Sequence, residues 1–324
     1  VDQPISANTE WTADHRYLIK GFVEVEQGVT LTIAPGTVIF GDKNTKGTLI
    51  INRGGKINAV GTASNPIIFT SAEPVGQRAP GDWGGIIICG RSNTNLPGGS
   101  GVVEGGVEAV FGGTDNADDS GRLSYLRIEF PGVAFQVNNE INGLTLAGVG
   151  STTQLDHIQV SYSGDDSFEF FGGNVNAKNL IAYGGLDDDF DMDNGFSGKL
   201  QFGLVLRDPT QADVSGSNGL EHDNDASGTA ATPYTWPIVS NLTVLGPLAT
   251  TNAASMNTNY KRAAHLRRNT HTNVFNSVFA GYPTGLLIDG ATTETNATNN
   301  DLRIRNSVLA GMTDLNVRPL RRDA

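Results

Sequence analysis

Val23, Val25, Gly28, Leu31 and Ile33 match Leu49, Ile51, Gly54, Ile57 and Ala59 at a constant offset of 26 residues. A fixed offset between apolar residues marks a solenoid, in which each repeat is one coil that buries its apolar side only against its neighbours. Within a coil the apolar residues alternate, as in Val29-Thr30-Leu31-Thr32-Ile33, the period of a strand with one buried and one wet face. Pro35-Gly36 and Asn65-Pro66 mark corners, and the glycines closing the short strands supply the backbone freedom a corner needs.

The repeat tightens in the middle of the chain. Asp166-Ser167-Phe168-Glu169-Phe170-Phe171-Gly172-Gly173 aligns with Asp188-Asp189-Phe190-Asp191-Met192-Asp193-Asn194-Gly195 at an offset of 22. We extend this frame upstream to Phe135–Asn139 and downstream to Leu220–Asn224. Phe135, Phe168, Phe190 and Leu220 then form one inward column, and Val137, Phe170, Met192 and His222 the next. A second strand family recurs at Leu126–Ile128, His157–Val160, Asn179–Ala182, Phe202–Val205, Leu242–Val244, Val274–Val278 and Ile304–Val308. The prediction is an all-β chain, a right-handed parallel β-helix forming a single solenoid over residues 1–324. Roughly a dozen rungs at about 4.8 Å would make a rod of about 60 Å. A propeller or sandwich would also have many short strands, but neither explains an aromatic column at this period. Residues 1–20 read as an N-terminal cap and 312–324 as the C-terminal end or the start of a cap. The stretches 91–119 and 208–237, rich in Gly, Asn and Asp or Ser, read as projecting loops. Uncapped ends would expose strand edges and permit end-to-end self-assembly.

Composition narrows the partners. With 22 Lys plus Arg against 34 Asp plus Glu, the net charge of -12 argues against nucleic acid, which requires basic surface. No apolar run approaches the roughly 18 residues of a membrane span. The lone Cys89 sits in the aliphatic run Ile86–Cys89 and reads as a small buried hydrophobe. The chain begins at Val1 like a processed, exported protein, and its few cysteines and Gly, Asn and Thr-rich surface suit an exported solenoid.

If Phe190 and Met192 point inward, then Asp187, Asp189, Asp191 and Asp193 point outward. Asp165 and Glu169 precede them by one rung, and Glu221 and Asp223 follow by one. Like charges about 4.8 Å apart are destabilising unless something neutralises them. Calcium, a hard ion taking several oxygen ligands, is the expected cofactor, held by Glu169, Asp189, Asp191, Asp193, Glu221 and Asp223. The alternative is a solvated acidic face that keeps rods apart.

Continuing the columns through Ala264–Arg267 and Leu286–Asp289 brings His265 and Arg267 near Glu221 and Asp223. Lys261, Arg262, Arg267 and Arg268 would then suit a lyase acting on an acidic polysaccharide, with Arg267 or Lys261 as base or charge clamp, or would simply pair with the acidic ladder. His222 falls at an inward position and reads as a core residue. His157, beside Asp156, and His271 lack partners at catalytic spacing. Phe171, Tyr234, Trp236 and Tyr260 read as outward aromatics able to stack on sugar rings or to lie beneath loops.

Thr30–Ile39, Gly81–Ile86, Glu140–Leu146 and Val160–Gly173 resemble a largely uncharacterised family of exported right-handed β-helix proteins of Bacteroidota and related bacteria, often carrying a C-terminal sorting signal. That resemblance covers most of the chain and implies an extracellular or outer-membrane-surface protein. It supplies no catalytic residues. The expected function is a scaffold, adhesin or glycan-binding protein stabilised by calcium and meeting polysaccharide or cell-surface components; the alternative is a calcium-dependent lyase or hydrolase of an acidic glycan.

Overall fold

A computed structural model describes residues 1–136, 139–250 and 253–314. The chain winds as a right-handed parallel β-helix whose coils each lay down three short strands. Phe22–Val25, Thr30–Ile33 and Val38–Gly41 make one coil, followed by Thr48–Ile51, Lys56–Val60 and Ile67–Ser71 in the next. The first strands stack into a nine-stranded sheet, face A. The second and third stack into faces B and C, which meet at a sharp bend.

The offsets in the sequence are stacked pairs. Val23 lies on Leu49 and Val25 on Ile51, Leu31 on Ile57 and Ile33 on Ala59, and Phe168 on Phe190 and Phe170 on Met192. Leu220 and His222 continue both columns. The core is a continuous file of buried aliphatic and aromatic side chains along the axis. Within it, the rings of Phe168 and Phe190 stack with centroids 5.1 Å apart.

The upstream frame differs from the expected one. Leu144 and Leu146, not Phe135 and Val137, lie against Phe168 and Phe170. Ala134–Gln136 turns back antiparallel on Asn139–Glu140, and Phe135 packs on Phe22, 5.5 Å between ring centroids, outside the solenoid. Two alternating stretches compete for one rung, and the one in parallel register takes it. Val137 lies outside the described residues.

Residues 1–20 are already part of the coil. Thr9–Trp11 pairs in parallel with Thr30–Ile33, and Arg16–Ile19 with Val38–Gly41. At the other end, Asp314 bridges to Thr284, and the rest of 312–324 after Asp314 lies outside the described residues. The 91–119 stretch folds back over face A instead of projecting. Its Val103, Val107, Ala109 and Phe111 close over Ile50, Ile87, Cys89 and Ala147, making a second apolar core outside the solenoid. The 208–237 stretch is divided by the face A strand Leu220–His222. Such insertions use chain that would otherwise form coils. Face A has nine strands, and the bridges of Ile5 to Val25 and of Asp314 to Thr284 extend it at both ends, close to the roughly dozen rungs expected.

The bend between faces B and C takes one left-handed residue per coil over most of the rod: Tyr125, His157, Asn179, Phe202, Asn241, Asn276 and Asn306. Flanking residues stack in register, as with Ser124 on Asp156 and Leu126 on Ile158, so these bend residues form a column of their own.

Replacing Phe190, fully buried at 0% exposure, with Ala should cost about 3–5 kcal/mol in denaturant unfolding. Ile238→Ala, on a side chain 39% exposed, should change stability by about 0.5 kcal/mol or less. Similar losses at the two sites would contradict the axial core.

Candidate functional site

The outward residues of face A form a column through Ile50, Ile87, Thr145, Glu169, Asp191, Glu221, His265 and Leu287. Ile50 and Ile87 make it apolar beneath the 91–119 cover, and it turns acidic at Glu169. The expected juxtaposition of Glu169, Asp191 and Glu221 is present, and His265 and Arg267 do reach Glu221 and Asp223.

The acidic part is not a solvated surface. Glu169 is 4% exposed and Asp188 4%. Carboxylate oxygens of Asp166, Glu169 and Asp191 lie within 4.8 Å of one another, as do those of Asp188, Asp191 and Glu221, and those of Asp165, Asp166 and Asp187. Among the described residues no ion pair reaches Asp166, Glu169, Asp188 or Asp191. Burial, reinforced by the neighbouring carboxylates, raises all four well above the usual carboxylate range. The closeness of the Asp166 and Glu169 carboxylates adds to this, since two like charges buried side by side favour holding a proton. Burial also lifts Asp187 to about 6, against a hydrogen bond from Ser215, and Asp193 to about 7, against one from the Asn194 backbone N–H.

Beyond Asp191 the column is neutralised by cations. Arg267 donates to Asp223 from Nε at 2.8 Å and Nη2 at 3.1 Å, and also pairs with Glu221. Arg268 donates to Asp223 at 2.7 Å. His265 bridges Glu221 at 3.3 Å and Asp289 at 3.2 Å. Burial opposes the charge of Glu221, but His265 and Arg267 outweigh it and hold its pKa below the usual value. The Arg267 pKa is raised by Asp223 and Glu221 against burial, so Arg267 stays protonated. That makes it a charge clamp and a poor base. Lys261 donates to the Thr258 carbonyl at 3.2 Å and forms no ion pair among those described.

Asp189 differs from the expected outward position. It is fully buried and pairs with Arg207 at 3.0 Å, both side chains being 0% exposed. Burial pushes its carboxyl up to about 7, against the pull of Arg207. Asp189 precedes the strand Phe190–Asp193, and in the turn before a strand the two-residue alternation does not hold. Asp188 joins Asp191 and Glu221 in its place. Asp166 and Asp188 were therefore missed as ligand candidates. Their signal was the Asp165-Asp166 pair recurring as Asp187-Asp188 at an offset of 22. Tyr260 also differs: it is buried, with the Arg207 guanidinium 5.0 Å from its ring centroid. Phe171 is half-buried near Phe111, whereas Trp236 is exposed. His222 is buried with Nδ1 2.9 Å from Thr272 Oγ1, and burial lowers it to about 3, leaving it neutral. Cys89 is buried, with its thiol pushed up to about 12 by burial.

Clustered oxygen donors without bound cationic side chains suit a hard cation with several oxygen ligands. Asp166, Glu169, Asp188 and Asp191 fit that chemistry, with Glu221 shared between it and Arg267.

A coiled stack of parallel strands with an acidic cluster on one outer face defines a parallel β-helix protein with a cation-compatible face. The profile of the pectate-lyase-like β-helix domain matches residues 4–319, and the chain belongs to that family. No curated protein matches the chain. No helix among the described residues is long and apolar enough to cross a membrane.

A carboxyl whose folded pKa is raised binds its proton more tightly when folded. Its contribution to stability is fully present below the unfolded value of about 4 and is lost as the pH rises through the folded value. With Asp187 at about 6 and Asp193 at about 7, the melting temperature in a chelator should fall between pH 4.5 and 7.5. A flat or rising profile would show that the cluster is neutralised within the protein.

Proposed function

We propose that this protein is a secreted or cell-surface β-helix scaffold that binds extracellular glycan, with calcium neutralising the acidic columns of face A. The observation that carries the reading is the crowding of the buried Asp166, Glu169 and Asp188 carboxylates around half-buried Asp191, with no cationic side chain among the described residues paired to them. Membership of the pectate-lyase-like family supports a carbohydrate-related role. The resemblance of Val160–Gly173 and the other segments to exported bacterial solenoids supports placement outside the cell. Arg267, locked on Asp223 and Glu221, is unavailable as a lyase base, which leaves Lys261 as the sole candidate for that step in the alternative reading.

Calorimetric titration with calcium at pH 7.5 should show binding accompanied by proton release, because the ion displaces the protons held on raised carboxyls. At a hundredfold excess over Kd, stability should rise by about 2.7 kcal/mol. An Asp166→Asn, Asp191→Asn double variant should lose both effects while melting at or above the temperature of the ion-free parent. Absence of heat and of any thermal shift in the parent would overturn the calcium reading. No cleavage of polyuronate is expected with calcium present. Unsaturated products that disappear in Arg267→Ala would replace the scaffold by the lyase.

A further inference from the structure

Where faces B and C meet, the outer surface carries a groove of about 440 Å³, within the size range of small-ligand sites. The longer corner containing Thr62, Ala63 and Pro66 bounds it, and its floor is built around Tyr125, His157, Asn179 and Phe202. Arg127 and Gln159 stack in register beside that floor. The groove shares no residue with the acidic columns of face A.

The floor residues occupy the left-handed bend column. Further along the rod the same slot is Asn241, Asn276 and Asn306, the side chain best suited to it after glycine, because a short amide bonds locally. Asn241 Oδ1, for example, accepts from Ser240 at 2.9 Å and Gln201 at 3.2 Å. Bulky rings are rare at positive φ, yet Tyr125, His157 and Phe202 hold φ of 53°, 52° and 62°. Backbone strain held against a cheaper residue points to use of the side chain. The rings also stay accessible: Phe202 is 50% exposed, and the His157 side chain 43%. Tyr125 and His157 stack face to face with centroids 4.3 Å apart, so each holds the other in place and offers its opposite face and its edge to the groove.

We propose that this groove binds a short neutral oligosaccharide. Pyranose rings present flat faces of C–H groups that suit rigid aromatic surfaces, and their edges carry hydroxyls. Tyr125, His157 and Phe202 supply the surfaces; Gln159, Asn179 and Arg127 supply hydrogen-bond partners at the rim. Polyanionic glycans are disfavoured because the chain carries a net charge of -12, and Arg127 is the only Lys or Arg lining the groove. Among the described residues no carboxylate lines it to hold a bridging cation. The site is independent of calcium and goes beyond the face A reading.

The bend itself supplies the test. Tyr125→Asn with Phe202→Asn installs the residue found in the same slot at Asn241 and Asn276, so the fold should be kept. The full chain and this double variant would be titrated calorimetrically with cellohexaose, mannohexaose, xylohexaose and hexagalacturonate, in calcium and in chelator, with thermal melts alongside. At least one neutral hexaose should bind the parent equally with and without calcium. In the variant its affinity should fall at least tenfold, with a melting temperature unchanged or raised. If the variant melts well below the parent, Gln159→Ala takes its place and should weaken binding without a thermal shift. No binding of any neutral hexaose at millimolar concentration, undiminished binding in the variant, or preference for hexagalacturonate would overturn the proposal. Loss of calcium binding alone would sink only the face A reading.

Discussion

Parallel, in-register stacking governs everything else in this molecule. Each side chain sits one strand spacing from its counterpart in the next coil, so every column is a choice repeated along the rod. For inward columns the repetition is favourable, since Phe168 on Phe190 and Phe170 on Met192 bury apolar surface with matched shapes. For outward columns it multiplies whatever chemistry is present. Stacked carboxylates repel, and the chain answers with arginine and histidine at the Glu221 end and with a raised proton affinity at the Glu169 end. The same geometry that builds the core thus concentrates charge on its surface.

Face A changes character along its length. Beneath Val103, Val107 and Phe111 its outer residues are Ile50, Ile87 and Ala147, and a hydrophobic cover closes them from water. Past Thr145 the column becomes Glu169 and Asp191. The switch explains why 91–119 folds back where it does: an outer face that is apolar cannot be left wet without cost, and the nearest insertion supplies the cover.

The fold was legible because Phe168, Phe190 and Phe170 are conspicuous and their offset is constant. The facing of Glu169 and Asp191 followed from the same offset, and that of Glu221, His265 and Arg267 from carrying the columns across longer insertions. What escaped the sequence depends on breaks in alternation. Asp188 and Asp189 exchange places because the turn before Phe190 is not extended, and Arg207, which takes up Asp189, lies in a connection with no periodic signature. Phe135 mimicked a rung because a hairpin strand alternates as a solenoid strand does. The 91–119 stretch read as polar from its Gly and Asn content, while its few apolar residues decide where it packs. The aromatic bend residues stood in plain view at the heads of the aligned segments His157–Val160 and Phe202–Val205, but only backbone dihedrals distinguish a bend from a strand start.

The change in face A also divides the rod thermodynamically. In a solenoid, neighbouring coils couple only to each other, and cooperativity is local. Coils around Ile87 and Thr145 are clasped by a second hydrophobic core indifferent to ionic conditions, whereas those around Asp191 and Glu221 are tied by charges that respond to pH and salt. A single chain therefore carries a permanent segment and a conditional one. Loosening should then begin among the coils of the acidic half and stop where it meets the covered half, which would keep a folded stem.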